Sequence, residues 1–433
     1  MPSVFLADFP EPDRLEGAPH PRDTVRLIGH AAAEAAFLAS HTAGRAHHAW
    51  LISGPRGIGK ATFAWSVARF LLATPLATPP ADGGVFAPPP ADSGLFAPPP
   101  ADGGLIAPQA SEGGLFAPQA SDGGLFAPQA SDGGLFAPPP PQSLYIPPDH
   151  PTARRLRALS EPGLFLLRRG LNDENKAPVQ TILVKEVRAM TRYFHLTLGD
   201  GGRRVAIIDA ADDLNPYAAN ALLKLLEEPP AGVTFLLIAH APFRLLPTIR
   251  SRCREVRLAR LTPGEVTDAL SAAGGTVAPE DATALAELAL GSVGEAFRLG
   301  NADGLGLYAR LIATFATSPR LDRPRALALS DVGAGKRNEP HFDLMVTLID
   351  LFLARLARAG TLGHPPPEAA PGEAALILRL APGPQAARAW ADLAQTLGLR
   401  ARRGKAVNLD PAALLMDMVL KIDETAGALL AQR

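Results

Sequence analysis

Apolar residues fall into two regimes along this chain. Up to about residue 260, short unbroken apolar runs alternate with stretches in which apolar residues recur every three or four positions; beyond it only the second pattern persists. His48–Ser53, Arg204–Asp209 and Thr234–Ala239 read as short strands, buried on both faces because no polar alternation leaves a wet side. Lys60–Leu72, with Phe63, Val67, Phe70 and Leu71 on one side, and Val184–Phe194 read as helices. Asn215-Pro216 supplies an N-cap and first-turn pair for a helix running to Glu228, stopped by Pro229-Pro230, with Leu222, Leu223 and Leu226 expected on its core side. Strands and helices in alternation predict an α/β fold around a parallel sheet. From Thr262, which with Glu265 is spaced for a capping box, the pattern is wholly helical. It continues through Leu344–Leu356 and Ala386–Leu397, is broken by Pro365–Pro367, and ends in a helix after Asp410-Pro411.

One stretch obeys neither regime. Over Ala81–Pro140 a ten-residue unit recurs six times, as in Ser121-Asp-Gly-Gly-Leu-Phe-Ala-Pro-Gln-Ala130. Glycine and proline punctuate every unit, and too little continuous apolar surface remains to offset the entropy of ordering, so a disordered insert is expected at 76–142. Two other readings stay open: docking of a partner on the spaced Leu-Phe pairs, and a small solenoid with a period of ten.

At 433 residues the chain is long enough for several domains. Lys and Arg number 42 against 43 Asp and Glu, a net charge of -1, so any contact with DNA must be local or shared with partners. The single cysteine, Cys253, excludes an intrachain disulfide and a cysteine zinc cluster, and fits a reducing cytoplasm. Met1–Arg26 is interrupted by Pro10, Pro12, Pro19 and Pro21 and lacks the layout of a signal peptide. Leu344–Leu356 contains Asp350 and Arg355 and is too short to span a bilayer. A soluble chain with no membrane partner is expected.

The candidate chemistry lies in Gly54-Pro-Arg-Gly-Ile-Gly-Lys60, a glycine loop between a strand and a helix. In that setting backbone amides and a lysine cradle nucleotide phosphates. Gly54, Gly57, Gly59, Lys60 and Thr62 are therefore candidate nucleotide-binding residues, with Asp209 as the acid that ends a Walker B strand. Two catalytic parts are missing. Ala61 stands where a Ser or Thr hydroxyl would meet Mg²⁺, Thr62 coming one residue late and pointing elsewhere, and Ala210 stands where a glutamate would orient water. Defects at two independent places imply a retained fold with lost hydrolysis, at a weak or vestigial site where bound ATP is not turned over. The plainer alternative is a glycine turn with a solvated lysine.

Asn220-Ala-Leu-Leu-Lys-Leu-Leu-Glu-Glu-Pro-Pro230 followed by Ser251-Arg252-Cys253 resembles the bacterial DNA polymerase III clamp-loader subunits, an AAA+ family. Leu27-Ile-Gly-His30, His48–Gly54 and Asp149-His-Pro151 look like further family elements, and the resemblance covers Asp23–Gly300 without the repeats. It implies an AAA+ P-loop parallel-sheet domain at 1–260, a small helical lid at 261–305, and a helical, collar-type oligomerisation domain at 306–433. In this family the motor subunits gamma and tau keep intact Walker motifs, whereas another kind keeps the fold and the Ser-Arg-Cys element with a decayed nucleotide site. This sequence looks like the second kind, since Gly294 stands where the motors carry a sensor 2 arginine.

The resemblance further implies that Arg252 acts in trans, as an arginine finger, on ATP held by an adjacent motor subunit; a planar, permanently charged fork suits phosphate oxygens. The implied partners are gamma or tau and delta, with the sliding clamp and primed DNA reached through the assembled, cytoplasmic hetero-oligomer. No ATPase or polymerase chemistry of its own is expected. Competing readings are an active AAA+ motor using Lys60, against which Ala61, Ala210 and Gly294 count, and a scaffold whose Arg252 is a surface residue paired with an acid such as Glu255. Cys253 reads as a packing residue, and His240, at the end of its strand, is assigned no role. Arg400–Lys405 reads either as a phosphate contact or as a solvated helix end. The four-cysteine zinc module often found in this family is replaced by the repeats.

Overall fold

A computed structural model describes residues 15–43, 47–74, 141–170, 179–195, 202–274, 277–334 and 339–431. The insert expected at 76–142 lies, but for its last two residues, outside them. The first half alternates as the apolar runs require: α1 (Ala31–Thr42), β1 (Ala49–Ser53), α2 (Lys60–Ala73), α3 (Pro151–Arg157), β2 (Leu164–Arg168), α4 (Val184–His195), β3 (Arg204–Asp209), α5 (Pro216–Glu227), β4 (Val233–Ala239), α6 (Pro247–Arg250) and β5 (Arg254–Arg257). All strand pairings are parallel, in the order β5-β1-β4-β3-β2. In register, Ser53 lies beside Ala239 and Arg257, and Asp209 beside Ile238. The C-terminal ends of the strands thus share one edge of the sheet, where open α/β sheets place their ligands.

The unbroken apolar runs feed two cores. Trp50, Ile52, Val205, Ile207, Leu236 and Ile238 pack on one face with α1 and α2, while Ala49, Leu51, Ala206, Ile208, Phe235 and Leu237 pack on the other with α4 and α5. Successive strand residues alternate between these faces, and each buried Leu, Ile or Phe contributes about 1.5–3 kcal/mol. The edge strands β2 and β5 are only partly buried.

Helix α5 starts as its sequence dictates, with Asn215 Oδ1 accepting from Ala218 N at 2.8 Å and Pro216 in the first turn. Its buried side is Ala218, Ala219, Leu222, Leu225 and Leu226. Leu223, expected there, is only half-buried. The stripe that steps by three and four from Ala218 passes through Leu225 and leaves Leu223 at its margin.

Beyond β5 every described element is helical: α7 (Pro263–Ala272), α8 (Pro279–Leu288), α9 (Val293–Asn301), α10 (Gly304–Phe315), α11 (Arg323–Ser330), α12 (Glu339–Leu362), α13 (Glu373–Leu380), α14 (Pro384–Ala406) and α15 (Pro411–Ala431), with two short 3₁₀ turns earlier in the chain and one after α11. The Thr262–Glu265 capping box opens α7, Thr262 N donating to Glu265 Oε2 at 2.7 Å. The fold is therefore a five-stranded parallel α/β sheet followed by helices alone. The helical part continues the α1–α2 core through Tyr308, Phe315, Phe352 and Trp390. Within it Glu373 accepts from Arg355 Nε and Tyr308 Oη, both at 2.6 Å, and from Ala369 N at 2.7 Å, a buried ion pair joining α10, α12 and α13. No helix among the described residues is long and apolar enough to cross a membrane.

Candidate functional site

The glycine loop follows β1 and delivers Lys60 as the first residue of α2. Gly54, Gly57 and Gly59 all have positive φ, the region that favours glycine. Gly59 is the N-cap of α2 and offers no side chain to the first-turn N–H groups, which leaves those donors for an anion. Lys60 is not the solvated lysine of the plainer reading. It is 3% exposed, and its Nζ donates to Gly54 O at 2.8 Å and to Pro55 O at 2.5 Å. Burial pulls its pKa down to about 8, against the opposing pull of the Asp209 and Asp212 carboxylates, and Arg56 lowers it further.

The rest of the loop is held from outside. His30 Nε2 donates to Ile58 O at 2.7 Å, and burial keeps the ring's pKa below its ordinary value. Ser292, the N-cap of α9, donates from Oγ to Arg56 O at 3.0 Å, and Gly294 N donates to Gly57 O at 2.9 Å. A Cβ built on Gly294 would stand 2.8 Å from Gly57 Cα, so this position admits no side chain while α9 sits on the loop. Ser292 escaped the sequence reading. Its signal was present, a serine three residues before Glu295 at a helix start, but the loop it reaches lies more than two hundred residues away.

At the neighbouring strand ends, Asp209 closes β3 near enough to act on Lys60, with Ala210 buried next to it. Asp212 was not singled out from the sequence. Its carboxylate accepts from His240 N at 3.0 Å and Ala241 N at 3.2 Å, so Asp212 caps the end of β4. Thr62 is half-buried in the first turn of α2. Gly54, Gly57, Gly59, Lys60 and Asp209 thus gather at one sheet edge, with the Lys60 amine held by its own loop carbonyls. The same residues do not fit a hydrolytic magnesium site, because Ala61 and Ala210 supply neither the hydroxyl nor the carboxylate it needs. Among the described residues, no three His, Cys, Asp or Glu side chains are grouped to hold a metal ion.

Arg252 stands apart from this cluster, in the turn between α6 and β5. Its side chain is 35% exposed, with Nη2 2.8 Å from Glu227 Oε1 and Nη1 donating to Thr248 O at 3.0 Å. Glu255, the acid expected beside it, instead accepts from Ser53 Oγ at 2.6 Å, since β5 pairs with β1 and carries that side chain toward it. Cys253 is half-buried against the α5 face of the sheet, and burial pushes its thiol up to about 12, which removes it as a nucleophile. In the Arg400–Lys405 run, three of the four basic side chains form ion pairs while staying partly exposed. Arg400 pairs with Asp417 at 3.2 Å, Arg402 with Asp350 at 2.6 Å and Lys405 with Asp343 at 2.8 Å, joining α14 to α15 and α12.

Comparison with known proteins places this geometry in context. Residues 150–262 match the family described as DNA polymerase III, delta subunit. A DNA polymerase III subunit delta' from Pseudomonas aeruginosa is 39% identical over 127 residues, 27% of this chain and 37% of that protein. The subunit delta' of Escherichia coli is 47% identical over 74 residues, 17% of this chain and 22% of that protein. The matched stretches thus span well under half of either relative. A DNA polymerase III, gamma subunit-related protein from Thermotoga maritima overlaps 63% of this chain and 88% of its own at 16% identity, with a TM-score of 0.28, too loose to bear on function. Through its α/β part, this chain is related to the delta-prime subunits of bacterial DNA polymerase III.

Proposed function

We propose that this chain is a non-hydrolysing, delta-prime-type subunit of the bacterial DNA polymerase III clamp loader that supplies Arg252 to the ATP site of an adjacent gamma or tau subunit. On this reading 1–260 is the AAA+ domain, 261–305 its lid and 306–433 the part that joins a collar with gamma or tau and delta. The assembled cytoplasmic complex then loads the sliding clamp on primed DNA. The observation that carries the proposal is a contrast between two places. The chain's own phosphate loop is tied to α9 through Ser292 and Gly294 and lacks both catalytic groups, while Arg252 stays half-exposed beside the C-terminal end of α5. Nucleotide held by Gly54, Gly57, Gly59 and Lys60 is on this view weakly bound and not turned over.

The guanidinium adds positive charge beside the γ-phosphate of the neighbour's ATP, where negative charge builds as the bond to the leaving group breaks. The test is DNA- and clamp-stimulated ATPase of a complex reconstituted from motor subunits, delta and this chain, wild-type or Arg252→Ala. Loss of an arginine finger costs on the order of 10³–10⁵ at the site served, so total turnover should fall by that site's share while assembly persists. The ion pair with Glu227 is the one observation favouring a second reading, a scaffold whose arginine is satisfied within its own chain. Unchanged turnover in Arg252→Ala would establish it.

A further inference from the structure

The two motifs most specific to this family are far apart in sequence, at the end of α5 and between α6 and β5. One ion pair joins them, Arg252 Nη2 to Glu227 Oε1 at 2.8 Å. We propose that Glu227 is the positioning residue for Arg252, holding the guanidinium in place for the phosphate of a neighbouring subunit; the proposal rests on the arginine-finger reading above.

The geometry favours holding over masking. A guanidinium carries five N–H donors. The carboxylate of Glu227 takes one from Nη2 and the carbonyl of Thr248 takes one from Nη1, which leaves Nε–H and one donor on each Nη for phosphate oxygens. Thr248 is itself fixed in the short helix α6, and its carbonyl also accepts from Ser251 Oγ at 3.1 Å. The guanidinium is thus anchored at both terminal nitrogens by two different elements and remains 35% exposed, with Glu227 48% exposed beside it. Arginine has large rotamer freedom when unanchored, and fixing it before the neighbour docks removes an ordering cost from the reaction. An exposed pair of this kind contributes little to folding, so its removal should register in catalysis and leave the fold intact.

The test uses the reconstituted clamp loader with this chain as wild-type, Glu227→Ala, Glu227→Gln, Arg252→Ala and the double variant Glu227→Ala/Arg252→Ala. Glu227→Ala should lower kcat at the served site about two- to five-fold, the range an exposed ion pair supplies, with KM for ATP and assembly unchanged. Glu227→Gln keeps an oxygen that accepts from Nη2 and should recover part of the loss. In the Arg252→Ala background, Glu227→Ala should add nothing. The proposal is overturned if Glu227→Ala leaves turnover unchanged while Arg252→Ala lowers it, or if the loss is the same in both backgrounds. Faster turnover in Glu227→Ala overturns it too, since Glu227 would then mask the arginine. Unchanged turnover in Arg252→Ala removes the arginine-finger reading itself, and positioning falls with it.

Discussion

Gly294→Ala tests whether α9 is seated on the glycine loop. The added Cβ would stand 2.8 Å from Gly57 Cα, 3.4 Å from Gly57 O and 3.3 Å from Leu15 Cδ1. Neither backbone can give way cheaply, because Gly294 N donates to Gly57 O at 2.9 Å and Ser292 Oγ to Arg56 O at 3.0 Å. Forcing a methyl into such a contact costs about 1–3 kcal/mol. Loosening the Gly294–Gly57 hydrogen bond adds about 0.5–1.5 kcal/mol. Against this, alanine gains at most about 1 kcal/mol over glycine in a helix interior, and less in the first turn where Gly294 sits. The net expectation is a loss of about 1–3 kcal/mol, confined to opening of α9 from the loop. Amide exchange at residue 294 should therefore quicken roughly 5- to 150-fold, at a factor of ten per 1.4 kcal/mol. Gly300→Ala in the same helix is the control, since its Cβ would meet only Leu285 Cδ1 at 3.8 Å and Val277 Cγ2 at 4.0 Å, ordinary contacts. Exchange at 294 that is unchanged or slower in Gly294→Ala would refute the close approach and the argument that no side chain fits there.

Two further expectations concern buried charge. The folded-state pKa of Lys60, about 8, lies below the ordinary lysine value, so the unfolded chain holds that proton more tightly. Burying Lys60 therefore opposes folding in full below about pH 8, by an amount on the order of 3 kcal/mol, and the penalty fades as pH rises from about 8 past 10. Urea unfolding at pH 8 and pH 10 should show wild-type protein gaining stability over that interval relative to Lys60→Met; parallel pH profiles would count against the buried, charged amine. Glu373→Ala strips the partner from Arg355, a residue 4% exposed, and should cost about 3–5 kcal/mol in the same unfolding assay. A loss under about 1 kcal/mol would mean that water or another acid takes over the arginine, as at an exposed pair.

Element type was legible from short windows of sequence, because the forces that set it are local. Arg204–Asp209 forms a strand over the residues its unbroken apolar run marks, and Asn215 and Thr262 cap helices through bonds that span three residues. Side-chain identity is legible at any position: Ala61 and Ala210 carry no oxygen on their side chains in any fold. What the sequence left open was which distant groups meet. It offered Glu255 to Arg252 because the two are close in the chain, whereas packing of α5 against α6 delivers Glu227. It read Lys60 as a phosphate ligand or a solvated charge, and the closed loop buries it against its own carbonyls. It marked Gly294 as an absent arginine, and the docking of α9 on Gly57 makes that glycine a steric requirement. Periodicity and capping report on neighbours within a turn or two. The order of the strands, the seating of a helix on a loop and the pairing of charges are decided by burial across the whole chain, which no local window contains.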